Sequence, residues 1–117
     1  MAAPASAQSN ACDNLKSQPE LNECAQREYL KTDTALNDLY RRLRAKLDSE
    51  ALAMLADAER AWISYRDKQC DFETAGEAGG SIRPMLQADC LKAMTAARNA
   101  ELRRLLKCSE DASSCPW

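Results

Sequence analysis

Apolar side chains recur at steps of three or four residues along three long segments of the chain. This spacing places them on one face of an α-helix. In the first segment they are Leu36, Leu39, Tyr40, Leu43 and Leu47. In the second they are Leu52, Leu55, Trp62, Tyr65 and Phe72, and in the third they are Ile82, Leu86, Cys90, Ala93, Ala97 and Leu105. The pattern predicts three amphipathic helices and gives no signal for a strand.

Capping and turn residues mark the ends of these predicted helices. Ser17 and Glu20 have the spacing of a capping box, which predicts the start of the first helix. Asp48 and Ser49 offer an N-cap for the second helix, which should span roughly residues 50–74. Segment 76–81 follows it and holds all three glycines of the chain, so we predict a turn there, with Ser81 capping the third helix. Three helices with short connections predict an all-α fold, an antiparallel three-helix up-down-up bundle.

Six cysteines in 117 residues form an even set, which is typical of three disulfides in an oxidising compartment. Cys70 lies near the end of the second helix and Cys90 about two turns into the third. The turn between them brings these two cysteines to similar heights, and the other four cysteines are placed to fasten the terminal segments. We therefore expect a bundle with disulfide cross-links that are architectural, namely Cys12–Cys24, Cys70–Cys90 and Cys108–Cys115.

Composition and charge exclude several classes of function. The chain has no histidine, which removes Ser-His and Cys-His catalysis and the commonest zinc-ligand sets. Its 16 basic and 18 acidic residues give no large field of one sign for nucleic acid or an anionic membrane. No apolar run approaches the roughly 18 residues of a membrane span or resembles a signal peptide. We expect a periplasmic or secreted protein without catalytic activity, cofactor or metal, and with no nucleic-acid partner.

A set of motifs extends over most of the chain. The most specific is Ala61-Trp62-Ile63-Ser64-Tyr65-Arg66-Asp67 with Cys70, followed by Gly80-Ser81-Ile82 and Cys90. Further positions are Cys24-Ala25, Asp33, Leu36-Asn37, Tyr40, Thr95, Arg98 and Leu102. Together, from about Cys12 to Leu105, they resemble the LprI-like lysozyme-inhibitor domain family. The resemblance implies a small, helical, disulfide-bonded protein of the bacterial envelope, and one branch of the family is associated with inhibition of lysozyme.

The chain divides into three parts on this interpretation. Residues 1–11 are rich in Ala, Ser, Pro and Gln, as expected for a flexible leader or for what remains after signal removal. Residues 12–108 form the LprI-like helical domain. Residues 109–117 form a C-terminal tail.

Four residues of the family motifs are expected to have structural roles. Trp62 and Tyr65 are three apart on the second helix, so their rings are predicted to fill the gap between helices. Arg66 and Asp67 adjoin that face, Glu59 sits seven residues before Arg66, and Arg98 lies on the third helix. A buried arginine–carboxylate link between the second and third helices is a better interpretation of this set than a catalytic site.

The turn between the second and third helices is the first candidate for a recognition surface. Loops on rigid scaffolds often carry binding, and a Cys70–Cys90 bridge would hold this one in a preset shape. Its candidate binding residues are Glu77, Gly79, Gly80, Ser81 and Arg83. The alternative, equally compatible with the sequence, is that the three glycines simply make the turn.

Two classes of function remain. The first is a binding protein that inhibits a lysozyme-type muramidase or another cell-wall hydrolase. The alternative is a structural or assembly module of the bacterial envelope without inhibitory activity.

Overall fold

The computed structural model describes residues 10–111, Cys115 and Trp117. This part of the chain forms three α-helices, α1 (Gln18–Arg44), α2 (Ser49–Glu73) and α3 (Arg83–Asp111), with short 3-10 turns at Asn10–Cys12 and Ala75–Glu77. Of the predicted leader, all but the last two residues lie outside the described residues. The predicted C-terminal tail is described only in part.

Local hydrogen bonds define the starts of α1 and α2, as the sequence predicted. Ser17 Oγ accepts from the Glu20 backbone N–H at 3.2 Å, and the Glu20 carboxylate accepts from the Ser17 N–H at 3.3 Å. The Ser17 hydroxyl, which also donates to this carboxylate, and the Ser17 N–H lower the pKa of Glu20. At α2, Asp48 Oδ1 accepts from the Ala51 N–H at 2.9 Å. Both caps satisfy donors that the first helical turn leaves unpaired.

The start of α3 differs from its prediction. The helix begins at Arg83, and the Leu86 N–H donates to the Ile82 carbonyl at 3.1 Å. The Ser81 backbone carbonyl instead accepts from Asn22 Nδ2 of α1 at 3.0 Å. Ser81 therefore ties the turn to α1 rather than standing next to the first residue of α3 as its cap.

The three helices form the predicted up-down-up bundle. Helices α1 and α3 run parallel and share the largest interface, and α2 runs antiparallel to both. Asn99 Nδ2 of α3 donates to the Thr32 carbonyl of α1 at 3.2 Å, midway along this parallel pair. The body measures 50 × 28 × 23 Å. We call the end with the α1–α2 turn the upper end and the end with the α2–α3 turn the lower end.

A cluster of buried leucines joins α1 to α3 towards the upper end. This leucine cluster consists of Leu36, Leu39, Leu43, Leu102 and Leu106. Leu55 and Trp62 of α2 pack against it while remaining partly exposed. Burying each leucine stabilises the fold by about 1.5–3 kcal/mol, so this cluster is the main apolar core.

Helix α2 contributes a different kind of inner face. Its buried residues are Glu59, Arg66 and Cys70. The prediction that Tyr65 packs in the gap beside Trp62 is wrong, because 57% of Tyr65 is exposed. Adjacent residues of a helix lie about 100° apart, so Tyr65 points away from the face that carries Glu59 and Arg66.

Phe72, predicted on the apolar face of α2, is also outside the core, with 76% of its surface exposed. The apolar stripe predicted for α3 needs a similar correction, since Ala93 and Ala97 are exposed. The buried residues of α3 include Ala88, Thr95, Asn99, Leu102 and Leu106. The centre of this face is polar, and a search for apolar periodicity does not detect it.

Three disulfides cross-link the bundle. They join Cys12 to Cys24, Cys70 to Cys90 and Cys108 to Cys115, with Cα–Cα distances of 5.8, 5.7 and 5.6 Å. These are the pairs expected from the helix positions. The first two lie at the lower end and the third at the upper end. None of the helices in the described residues is long and apolar enough to cross a membrane.

Candidate functional site

The α2–α3 connection at the lower end exposes a continuous stretch of backbone, which we call the glycine loop (residues 76–83). Residues 76–81 are all exposed. Gly79 has φ 81°, in the left-handed region that favours glycine. A Cβ at Gly80 would lie 3.1 Å from the Glu77 carbonyl oxygen, to which the Gly80 N–H donates at 2.9 Å. The backbone conformation therefore favours glycine at position 79, and a side chain at position 80 would press on the Glu77 carbonyl.

Thr74 anchors the loop to the body of the bundle. It is buried, with 4% of its surface exposed. Its Oγ1 lies 2.8 Å from the Cys70 carbonyl oxygen and 2.7 Å from Gln87 Oε1, and it accepts from Arg83 Nε at 3.3 Å. One hydroxyl thus connects the last turn of α2 to the first turns of α3, because an oxygen of this kind both donates and accepts.

Two further links hold the loop in place. The buried Cys70 is bonded to Cys90 of α3, which fixes the spacing of the two helices just inside the loop. Asn22 of α1 holds the Ser81 carbonyl. The glycine loop is therefore attached to all three helices, and little conformational freedom remains to be lost when it binds a partner.

The candidate binding residues occupy two different environments. Glu77, Gly79, Gly80 and Ser81 lie on the exposed part of the loop. The Arg83 side chain, 35% exposed, instead faces the body, where its Nη2 lies 3.8 Å from Asp71 Oδ1. Arg83 therefore braces the loop. A shallow groove of about 330 Å³ runs beside it, lined by Asp71, Gly79, Gly80, Arg83, Pro84 and Gln87.

Charge is distributed unevenly along the bundle. The contact of Arg66 with Asp33 and Thr95 marks one level across all three helices. Below it, residues 10–32 and 67–94 contain nine acidic and six basic residues; above it, residues 34–65 and 96–111 contain eight acidic and nine basic residues. The glycine loop thus projects from the acidic half of a protein whose total charge is nearly balanced.

A layer of polar side chains crosses the middle of the bundle. Arg66, 8% exposed, donates through Nε to Asp67 Oδ1 at 2.9 Å and through Nη1 to Thr95 Oγ1 at 3.3 Å, and its Nη1 lies 3.8 Å from Asp33 Oδ1. Its guanidinium also lies 5.7 Å from the ring centre of Tyr29, whose pKa is raised by burial. One arginine of α2 thereby contacts both other helices.

The predicted link between α2 and α3 is formed by Glu59 and Arg98. Glu59 Oε1 accepts from Arg98 Nε at 3.0 Å and Nη2 at 2.9 Å, and Arg98 Nη1 also donates to Glu101 at 3.0 Å. The centre of the Trp62 ring lies 5.1 Å from the Arg66 guanidinium and 5.8 Å from that of Arg98. These cation–π contacts and ion pairs complete a polar layer that connects helices.

Two concave surfaces of the structure were not predicted from the sequence. The first, of about 480 Å³, lies between α1 and α3 beside the Cys12–Cys24 bridge and includes Leu21, Ala25 and Met85. The second, which we call the upper groove, has a volume of about 420 Å³ and is lined by Leu43, Leu47, Ala51, Met54, Leu55, Leu105 and Trp117. Each surface is formed by residues far apart in the chain, so no local sequence motif predicts it.

The fold and the braced loop define a small disulfide-linked helical domain, and its sequence identifies the family. Residues 9–102 match the family model described as "Lysozyme inhibitor LprI". Because this match covers most of the chain, the protein belongs to the LprI lysozyme inhibitor family. The resemblance recognised in the sequence motifs is thereby confirmed.

Two bacterial proteins are similar to this chain. Uncharacterized protein R02472 of Rhizobium meliloti (strain 1021) is 40% identical, over 93% of this chain and 89% of that protein. Uncharacterized protein YecT of Escherichia coli (strain K12) is 28% identical, over 73% of this chain and 60% of that protein, so the match leaves a substantial part of YecT uncovered. No solved structure gives a significant match.

Proposed function

We propose that this protein is a secreted or periplasmic inhibitor of a lysozyme-type muramidase or a related peptidoglycan-cleaving enzyme. The observation that carries the proposal is the glycine loop, which is exposed at its tip and attached at its base to all three helices. Membership of a family described as lysozyme inhibitors supports the choice of target. The three disulfides support an oxidising compartment.

In this proposal the loop enters the sugar-binding cleft of the enzyme. Glu77 and Ser81 offer a carboxylate and a hydroxyl, and Gly79 and Gly80 allow the backbone to approach the cleft wall closely. Arg83 acts indirectly by bracing the loop against Asp71 and Thr74. The inhibitor acts by occupying the cleft and performs no chemistry itself.

The charge distribution supports this orientation. A basic muramidase is attracted to the acidic lower half, which carries the loop, although the net charge of the whole chain is only -2. Such attraction raises the rate of encounter and weakens with salt, while affinity depends on the fit of the loop.

Calorimetry against a panel of muramidases, paired with a cell-wall lysis assay, tests the proposal directly. Glu77→Ala combined with Ser81→Ala should weaken binding and inhibition at least about tenfold, because both side chains sit at the proposed centre of contact. The matched control is Glu50→Gln, another exposed carboxylate, at the upper end, which should leave both unchanged. Circular dichroism confirms that each variant is folded.

The outcomes of these experiments test the inhibitory function and the location of the binding site separately. No binding and no inhibition across the panel would refute the inhibitor proposal. Inhibition that persists in the loop variant would refute the loop as the site and leave the function standing. A loss of inhibition in Glu50→Gln equal to that in the loop variant would show a general charge effect rather than a specific contact.

One observation favours the alternative of an assembly module in the envelope. Helix α2 carries large apolar side chains on its outer face, including Phe72 at 76% exposure. An exposed apolar face of this kind marks an interaction surface. The two functions are compatible, because this face and the glycine loop are separate.

A further inference from the structure

The outer face of α2 carries an apolar stripe, interrupted by Lys68 between Tyr65 and Phe72. The α2 stripe consists of Met54, Ala58, Ala61, Tyr65 and Phe72, all exposed. Met54, Tyr65 and Phe72 are 69%, 57% and 76% exposed. Their spacing of three, four or seven residues places them on one side of the helix, roughly 120° around its axis from the face of Glu59 and Arg66. None of these exposed side chains belongs to the leucine cluster.

The stripe is complementary to itself when two copies of α2 lie antiparallel. Two such copies are related by a twofold axis perpendicular to the helices. If this axis lies at the level of residue 63, Met54 of one copy faces Phe72 of the other. Ala61 likewise faces Tyr65, so a small side chain meets a large one. Both pairs follow from the same axis position, which is the geometry of an isologous interface.

The upper groove offers a binding site for the Phe72 ring at the end of the stripe. Met54 lies at this groove, whose walls include Leu43, Leu55, Leu105 and Trp117. Phe72 is eighteen residues from Met54, which is five full helical turns or about 27 Å. The antiparallel axis therefore brings Phe72 of each copy to the upper groove of the other. A volume of about 420 Å³ lies within the usual range of sites for small apolar groups.

Charge favours the antiparallel orientation over a parallel one. It places the acidic lower half of each copy, with nine acidic and six basic residues, beside the upper half of the other, where basic residues slightly exceed acidic ones. At the edge of the stripe, Lys68 of one copy comes level with Asp57 of the other. A parallel arrangement would instead place the two acidic halves side by side.

The available area is sufficient for a modest interface. An aromatic side chain buries about 150–250 Å². At their exposed fractions, Met54, Tyr65 and Phe72 would together contribute roughly 400 Å², about half of the ~800 Å² per partner in a standard interface. The walls of the upper groove and the edges of α2 would have to supply the remainder.

We propose that the protein forms an antiparallel homodimer through the α2 stripe, with Phe72 of each copy seated in the upper groove of the other. The two glycine loops then lie at opposite ends of the dimer. The proposed dimer uses no residue of the glycine loop, and it is tested separately from the proposed inhibition.

Sedimentation equilibrium of the full chain, from micromolar to submillimolar concentration, is the direct test. The wild type should show a monomer–dimer equilibrium. Phe72→Glu should weaken dimer formation at least about tenfold, because it places an unpaired charge in an apolar groove. The control Leu30→Glu changes an apolar residue of α1 that is 49% exposed, and it should leave the equilibrium unchanged.

A charge pair tests the register. Met54→Lys alone should also weaken the dimer. Combined with Phe72→Glu in one chain, it should restore association above either single variant, since the introduced ammonium and carboxylate would face each other twice across the axis. The proposal would be overturned if the wild type were monomeric at every concentration, or if Phe72→Glu dimerised as well as the wild type. It would also be overturned if Leu30→Glu weakened the dimer as much as Phe72→Glu, or if the double variant dimerised no better than the single variants. Muramidase inhibition by Phe72→Glu should equal that of the wild type per chain.

Discussion

The leucine cluster and the polar layer hold the same bundle together in different ways. Leu102, at 0% exposure, packs among other leucines of α1 and α3. A few residues away, Arg98 and Glu59 join α3 to α2 by an ion pair next to the Trp62 ring. The apolar contact allows α1 and α3 to approach closely. The contact between α2 and α3 spans a wider gap between helices, because long polar side chains and the Trp62 indole ring fill it.

This difference makes α2 an unusual helix. Its inner face is partly charged, with Glu59 and Arg66 buried, whereas Met54, Tyr65 and Phe72 are exposed on its outer face. A helix that faces water on one side usually has the opposite arrangement. The contrast indicates that the polar layer positions α2 and leaves its apolar outer face available for another contact.

The two regions should respond differently to truncation, and the leucine cluster should show the largest effect. Leu102→Ala is expected to lower the free energy of unfolding by about 3–5 kcal/mol, because it removes a fully buried side chain and leaves a cavity. Leu30→Ala, at an exposed position, should cost less than about 0.5 kcal/mol. Denaturant unfolding measures both, and equal costs would mean that Leu102 is not in a tightly packed core.

The Cys70–Cys90 bridge should rank second, with a cost of about 3 kcal/mol when both residues become alanine. It joins α2 to α3 and supports the glycine loop, whereas Cys108–Cys115 closes a span of seven residues near the end of the chain. Replacing the latter pair should cost less. Thermal unfolding of the two double variants makes the comparison, and a larger loss from Cys108 and Cys115 would contradict it.

The polar layer should show strong coupling between its members. Glu59→Leu alone should cost about 2 kcal/mol, because Arg98 loses its buried partner and keeps only Glu101. Glu59→Leu combined with Arg98→Met should restore stability to within about 1 kcal/mol of the wild type. A double-mutant cycle by chemical denaturation tests this, and simple additivity would show that the pair acts as two separate surface charges.

The capping box should give the smallest effect. Ser17→Ala should cost about 1 kcal/mol, because the Glu20 N–H loses its acceptor. The pKa of Glu20 is lowered in the folded state, first by the Ser17 hydroxyl. The carboxylate therefore stabilises the fold above the pKa of the unfolded chain, and this contribution disappears as the pH falls through the lowered folded value.

The difference in stability between Ser17→Ala and the wild type should accordingly shrink in acid. Unfolding curves recorded from neutral to acidic pH measure it. A difference that is constant with pH would mean that the Ser17–Glu20 contact contributes little beyond the backbone hydrogen bond.

Much of the architecture was predictable because it depends on residues close together in the sequence or on their positions along a helix. The caps at Ser17 and Asp48 involve residues three positions apart. The Cys70–Cys90 pair follows from the heights of two cysteines on adjacent helices. The glycine loop was predictable as a turn, but its anchor was not: Thr74 contacts Gln87 and Arg83, which carry no recognisable motif.

The sequence by itself determined three helices, their cross-links and the exposed loop, because capping, helical periodicity and cysteine position specify each of them directly. Only the tertiary structure decided which side of α2 faces inward. Trp62 and Tyr65 are both large and lie three residues apart, so the pattern gave no reason to bury one and expose the other. The ion pair of Glu59 with Arg98 and the contacts of Arg66 with α1 and α3 fix the rotation of α2. That rotation turns Tyr65 to the surface, since charged groups in the interior require partners whereas an aromatic ring tolerates solvent.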